Sequence, residues 1–253
     1  MKEKDFVSSL KKGLMILAAF DESNPFLTLT DLCKRTNLPK TTVFRLCRTL
    51  VALEYLKYDS SKHTYQPGIK VLSLGFNVLA SMELRDIASP YLIDLFNEVN
   101  ENVNLSILDD IDVVYIERLK KREILNIALH VGSRLKAVIS SSGRAILAFL
   151  DKKELDKILQ HKNLNNFFKK HNKDDFIKML ERIREKGYSV VDGEYFPGLV
   201  AVAAPVLNRK NKVVAAVNIP FLKTDIDVNQ KVKTLIEPLL KCVKKIGKTL
   251  PYD

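Results

Sequence analysis

Apolar residues recur with helical spacing near the start of the chain. Val7, Leu10, Leu14, Leu17 and Ala18 mark a first helix, which Asp21-Glu22-Ser23-Asn24-Pro25 breaks. Thr30, with Asp31 in the positive first turn, is the expected N-cap of a short second helix ending near Arg35. Asn37 suits the left-handed conformation of a tight turn between helices, and Pro39 stands just outside or at the start of a third helix, residues 40–53. In that helix Val43, Leu46, Cys47 and Leu50 form an inward stripe. Thr41, Arg45 and Arg48 then fall on the outer face, flanked by Thr42 and Thr49. Aromatic and β-branched residues at 55–58 and 62–65 flank the polar Asp59-Ser60-Ser61, which predicts a hairpin. Two helices in tight succession and then a hairpin form a winged helix-turn-helix pattern.

Pro67-Gly68 marks a boundary. Ile69, Leu72, Phe76 and Leu79 follow in a 3-4-3 seam, and Val71, Leu74 and Val78 make a second stripe on the same helix. Such a helix is either buried within its own domain or a connector that packs on a partner subunit; its place between two modules favours the second. Residues 84–99 form another amphipathic helix, with Pro90 starting its main part or kinking it. From Leu105 the period changes. Residues 105–108, 113–117, 124–131, 188–191, 200–207 and 213–219 read as strands, with hairpin turns at Asp109-Asp110 and at 208–211. Helices are expected at 143–150, 153–159, 174–186 and 227–248. The whole is an α+β protein: a winged helix-turn-helix domain at 1–66, a linker helix at 67–83 and a domain on an antiparallel sheet at 84–253.

Composition narrows the function classes. With 46% hydrophobic and 28% charged residues, the 253-residue chain is globular rather than mainly disordered. No apolar run nears the ~18–20 residues of a membrane helix, and the first residues mix charge signs, so a soluble, cytoplasmic protein is expected. Cys33, Cys47 and Cys242 lie far apart, without a disulfide framework or metal spacing, and read as small buried residues. The four histidines sit in no HExxH, GxSxG or Cys/His pattern, and His130 reads as a packed or partly exposed strand residue. Neither an enzyme nor a cofactor is expected. The net charge of +11 allows a nucleic-acid partner, yet it is unevenly spread: residues 1–65 hold 11 basic and 7 acidic side chains, residues 151–253 hold 21 and 13. Most of the excess is therefore read as solvated helix faces.

Two segments carry candidate chemistry. The outer face of the third helix offers hydroxyls and guanidinium groups where a recognition helix meets base edges. Ser140-Ser141-Ser142-Gly143 precede an apolar helix; they are either plain N-capping serines or an anion site at a helix start, with Gly143 clearing the approach.

The chain resembles the IclR family of transcriptional regulators over nearly its whole length. The resemblance rests on the order and spacing of blocks: Ser9 to Leu14 with Ile16-Leu17, Leu27 to Leu32, Leu38 to Leu46, Val103-Asn104-Leu105, Val114-Tyr115-Ile116, Val131 to Leu135, Gly143 to Ala148, Gly187-Tyr188, Glu194-Tyr195 with Pro197-Gly198, and Ala203 to Val206. It implies an N-terminal winged helix, a linker helix and a C-terminal GAF-like effector domain. Expected partners are a double-stranded DNA operator, a small organic acid and further copies of the chain, as a homodimer or a dimer of dimers. The DNA-binding candidates are Lys40, Thr41, Thr42, Arg45, Arg48, Lys57, Lys62 and His63. The effector candidates are Ser140, Ser141, Ser142, Gly143, Asp192, Ala201 and Asn218. Val191, Ala201, Asn218 and Pro220 depart from the family's usual Asp, Cys and small hydroxyl residues, so a larger or aromatic acid fits as well as a glyoxylate-like or pyruvate-like one. The alternative function is that of a winged-helix interaction protein or enzyme that does not bind DNA.

Overall fold

A computed structural model describes residues 6–21, 23–121, 129–223 and 227–251. The chain separates into two compact units, Met1–Ser81 and Met82–Asp253.

The first unit runs α1 (Ser8–Leu17), β1 (Leu27–Thr28), α2 (Leu29–Thr36), α3 (Lys40–Ala52), β2 (Leu56–Asp59), β3 (Thr64–Pro67) and α4 (Lys70–Ala80). The three strands form an antiparallel sheet in the order β1-β3-β2. Ile16, Leu32, Val43, Cys47, Leu56 and Tyr65 meet in its core. The cap of α2 is Thr28, not Thr30. Thr28 Oγ1 accepts from the Asp31 N–H while the Asp31 carboxylate accepts from the Thr28 N–H, a capping box whose three-residue spacing outweighs a lone threonine. The Thr28 hydroxyl also donates to the Asp31 carboxylate, at 2.6 Å, and this bond, with that from the Thr28 N–H, holds the Asp31 carboxyl below its ordinary range. Asn37 is left-handed, with φ of 53°, and ends α2 at the tight turn as its residue type requires. The apolar residues of α1 divide between two surfaces, with Leu17 packed against the core. Ile16 points into the core, while Val7, Leu10 and Leu14 stay exposed. On α4 no residue is buried, and both apolar stripes face solvent.

The second unit holds α5 (Glu83–Val99), β4 (Val103–Asp109), β5 (Asp112–Leu119), β6 (Arg134–Lys136), α6 (Ser141–Leu147), α7 (Lys152–Leu159), α8 (Asn165–Phe168), α9 (Lys173–Lys186), β7 (Ser189–Asp192), β8 (Leu199–Leu207), β9 (Val213–Leu222) and α10 (Val228–Thr249). The strands pair antiparallel in the order β6-β5-β4-β9-β8-β7. Of the strand expected at 124–131, residues 124–128 lie outside the described residues; Leu129 to Val131 are not strand, and the edge strand forms at Arg134–Lys136. His130 accordingly lies in an exposed turn, its N–H donating to Ser133 Oγ. Pro90 falls inside a continuous α5. The hairpin turns hold as read, with Asp110 and Asn211 at positive φ.

Central strands β8 and β9 are buried along nearly their whole length, which requires cover on both faces. α6, backed by α9, packs on them with Val113, Ala203 and Ala216. α5 and α10 pack together and against β4, β5, β8 and β9. The approach of α10 is close: a Cβ at Gly247 would overlap the Leu207 carbonyl oxygen. Gly247→Ala is expected to destabilise this unit by about 1–3 kcal/mol through overpacking. A urea midpoint equal to the parent's would show that α10 can shift outward at no cost.

Candidate DNA-reading face and effector cavity

α3 begins at Pro39, whose fixed φ suits a helix start, and its core stripe anchors it against α1 and α2. Of the DNA-binding candidates, Lys40, Thr41, Arg45 and Arg48 are exposed on it and Thr42 is half-buried. Phe44, not singled out from the sequence, shares the outer face, with the Arg48 guanidinium 5.8 Å from its ring centre. Its signal was the spacing of Thr41, Phe44, Arg45 and Arg48, which places an aromatic among the polar positions. In the wing, Asp59 Oδ1 accepts from Ser61 N, Ser61 Oγ and Lys62 N, which fixes the turn and lowers the Asp59 pKa. His63 has φ of 52° and its Nδ1 lies 3.0 Å from Tyr58 Oη; Tyr58 in turn packs on Tyr65. Lys57 and Lys62 are exposed beside it.

In the second unit a cavity lies between the sheet and the start of α6. The register defines its floor. Arg118, Asn104 and Asn218 lie side by side across β5, β4 and β9, and Val191, Ala201 and Pro220 form the next row across β7, β8 and β9. Arg118 reaches the same face as Tyr115 because the β4–β5 register slips at Leu105/Ser106, inserting Ile116 as an extra residue. Leu129, Leu135, Ile139, Ser140, Ser141, Tyr195 and Leu199 close the cavity. The space is small, with about 40 Å³ open to the centre of a water molecule.

Four effector candidates line this cavity: Ser140, Ser141, Ala201 and Asn218. Three do not. Ser142 is fully buried in packing. Gly143 sits where a Cβ would overlap the Ala137 backbone, so it serves close helix packing rather than ligand approach. Its N–H is taken by Ser140 Oγ at 3.0 Å, and α6 is only seven residues long, so the expected cradle of free N–H groups is replaced by a serine cap. Asp192 turns to the surface, where its Oδ2 accepts from Lys223 Nζ at 2.7 Å. Sequence reasoning missed Asn104, Tyr115, Arg118 and Tyr195. Asn104 donates from Nδ2 to Asn218 Oδ1 at 3.1 Å. Burial pushes the Tyr115 phenol up to about 12, against the pull of Arg118 and of a hydrogen bond with Asn218. The Arg118 guanidinium lies 5.5 Å from the Tyr115 ring centre.

The loop that carries Tyr195 is fastened at both ends. Gly193 and Gly198 take positive φ, and backbone hydrogen bonds join Gly193 to Leu199 and Gly198 to Lys223. Between them Glu194 pairs with both terminal nitrogens of Arg144, at 2.7 and 2.5 Å, while Arg144 Nε donates to the Val138 carbonyl. Arg144 is 7% exposed and Glu194 37%. Glu194→Ala is expected to cost about 1–3 kcal/mol, because it strands a buried guanidinium, reduced by the solvent access of its partner. Thermal melts showing no loss would mean that water replaces the carboxylate freely.

A winged helix with an exposed basic face, together with a domain holding a cavity lined by polar and apolar side chains, is the architecture of a DNA-binding transcriptional regulator with a ligand-binding domain. The model of the IclR helix-turn-helix domain matches residues 9–60, and that of the bacterial transcriptional regulator IclR C-terminal domain matches residues 76–248. The chain belongs to the IclR family, a family of regulators and not of enzymes. It is 33% identical over 220 residues to the Pca regulon regulatory protein of Pseudomonas putida, covering 86% of this chain and 75% of that one. An IclR family transcriptional regulator from Brucella abortus superposes with a TM-score of 0.84 at 27% identity, over 99% of this chain and 95% of the other. The fold is also that of an IclR homologue from Microbacterium hydrocarbonoxydans crystallised with 4-hydroxybenzoate, with a TM-score of 0.76 at 21% identity over 95% and 98% of the chains. Among the described residues no helix is long and apolar enough to cross a membrane.

Proposed function

We propose that this regulator is a cytoplasmic homodimer that reads a palindromic operator through α3 and the wing, and that a small organic acid in the cavity alters that reading. The observation that carries the proposal is the outer face of α3. Lys40, Thr41, Arg45 and Arg48 stand exposed on a helix whose opposite stripe is locked in the core, so their presentation costs no rearrangement. Lys57 and Lys62 supply phosphate contacts beside it, with His63 held at the wing tip by Tyr58. In the second unit Ser140, Ser141 and Asn218 give the cavity polar groups, and Ala201, Val191 and Pro220 an apolar wall. The Microbacterium homologue, whose fold is shared, holds an aromatic acid. Arg45→Ala is expected to weaken operator binding by ~1–3 kcal/mol with the fold unchanged. Fluorescence anisotropy on DNA from upstream of the protein's own gene measures this; equal affinity in a folded mutant would remove Arg45 from the interface.

The dimer is supported by two apolar faces that the folded chain leaves uncovered. Leu10 and Leu14 of α1 are more than half exposed, as are Leu72, Leu74, Phe76 and Val78 of α4. A second copy covers both faces at once and sets two recognition helices one DNA turn apart, ~34 Å. Leu72→Asp combined with Phe76→Asp places charge in that seam. Light scattering should then report a smaller species with weaker operator binding, whereas an unchanged mass and affinity would exclude α4 as the interface.

A further inference from the structure

We infer that Phe44 is a base-reading residue of α3, and that its ring meets the 5-methyl group of a thymine in each half of the operator. The inference rests on the reading of α3 as the DNA-reading helix. The core stripe of α3 is complete without Phe44: Val43 and Cys47 are fully buried, with Leu46 and Leu50 packed against the same cluster. Phe44 is 45% exposed, and within α3 it is the one large apolar side chain left so. On a helix surface the neighbours of a residue stand three and four positions away. For Phe44 these are Lys40, Thr41 and Arg48, all exposed, and Cys47, which is buried. Its ring therefore borders the polar face, among the side chains offered to DNA.

The chemistry of the groove selects what such a ring can meet. Phosphate oxygens and the polar edges of bases reward hydrogen-bond donors and acceptors, and a phenyl ring supplies neither. In the major groove the base edges carry a single apolar group, the thymine methyl. Its burial against the ring removes apolar surface of both from water. The place along the helix agrees: Phe44 is the fifth of 13 residues in α3, within the N-terminal half that approaches base edges. The ring is also held in position, because the Arg48 guanidinium lies 5.8 Å from its centre. Arg48 keeps its donors for phosphate or guanine, while the ring faces the methyl. A second copy of the chain is the other means of covering an exposed aromatic, and charge argues against it here. Symmetric contact through this face would set Lys40, Arg45 and Arg48 against their own counterparts, with no acidic residue in α3 to pair them. Duplex DNA meets the same cations with phosphates.

The test uses the full-length protein and the duplex it selects from a random-sequence library. Each thymine of that site is replaced in turn by deoxyuridine, in both half-sites together, which removes the methyl and leaves every hydrogen-bonding group in place. Fluorescence anisotropy should show a replacement that weakens the parent by about fourfold per half-site, the worth of one buried methyl. Phe44→Ala should bind the thymine and uracil duplexes equally, and Phe44→Leu, which keeps an apolar side chain, should retain part of the difference. If no replacement weakens the parent, the proposal is overturned without any substitution and DNA reading by α3 stands, so it remains testable even where a Phe44 variant folds poorly. A uracil penalty kept in full by Phe44→Ala gives the methyl to another residue and overturns it too. A smaller species of Phe44→Ala in light scattering makes Phe44 an assembly contact, with the same consequence. Enrichment of no sequence from the library overturns the DNA-reading proposal itself, and this one with it.

Discussion

The sensing domain depends on how closely α6 approaches the sheet. Gly143 makes that approach possible, because any side chain at this position would collide with the Ala137 backbone. The consequence reaches in three directions. Ser140 and Ser141, at the helix start, are brought over the Asn104–Asn218 row and become one wall of the cavity. Arg144, on the next residue, is pressed into the interior, where it must find partners; it takes the Val138 carbonyl and the Glu194 carboxylate. Glu194 in turn positions the loop that carries Tyr195. A helix held one side chain further out would open the floor to solvent and release the loop together. Gly247 does the same for α10 on Leu207, so each glycine secures close helix packing on the sheet.

What was legible in the sequence was whatever is encoded locally. The stripe of α3 and the left-handed asparagine at 37 rest on periods of 3.6 residues and on single-residue backbone preferences, and both appear where expected. The capping box at Thr28 was equally local, since Asp31 stands three residues on, but a nearer threonine drew the assignment. The errors at the cavity are of another kind. Arg118 and Tyr115 are three apart, and strict alternation puts them on opposite faces of β5. Only the extra residue at Ile116 brings them together, and a bulge is set by the pairing of two strands, not by either alone. Asp192 reads as a site residue until Lys223, 31 positions later, takes its carboxylate. The spacing on α1 is silent on direction for a related reason: periodicity shows that a stripe exists, not which surface covers it.

The charge distribution finds its explanation in the same way. In the last turns of α10, Lys241, Lys244, Lys245 and Lys248 are exposed, while Cys242, Val243, Ile246 and Gly247 are buried between them. The lysines are the solvated edge of an amphipathic helix, and they lie near its negative end, where cations are favoured. Net charge is therefore a poor guide to the DNA-reading surface of this chain. The candidate DNA-reading helix α3 holds few charges, and they project from the side opposite a stripe packed in the core.

Sensing imposes a further constraint of a thermodynamic kind. If an acid in the cavity changes operator affinity by some factor, operator DNA must change the affinity for the acid by the same factor. A ligand with equal affinity for two conformations shifts nothing, however tightly it binds. The cavity meets this condition only if its walls differ between the two states. The polar floor is the least able to change, since Arg118, Asn104 and Asn218 are spread over three paired strands. The roof is the more adaptable part: Tyr195 rides on a loop hinged at two positive-φ glycines and held between them by the Arg144–Glu194 pair. The floor of the cavity is held by paired strands, whereas its roof is held by one ion pair and the backbone hydrogen bonds at its two glycines.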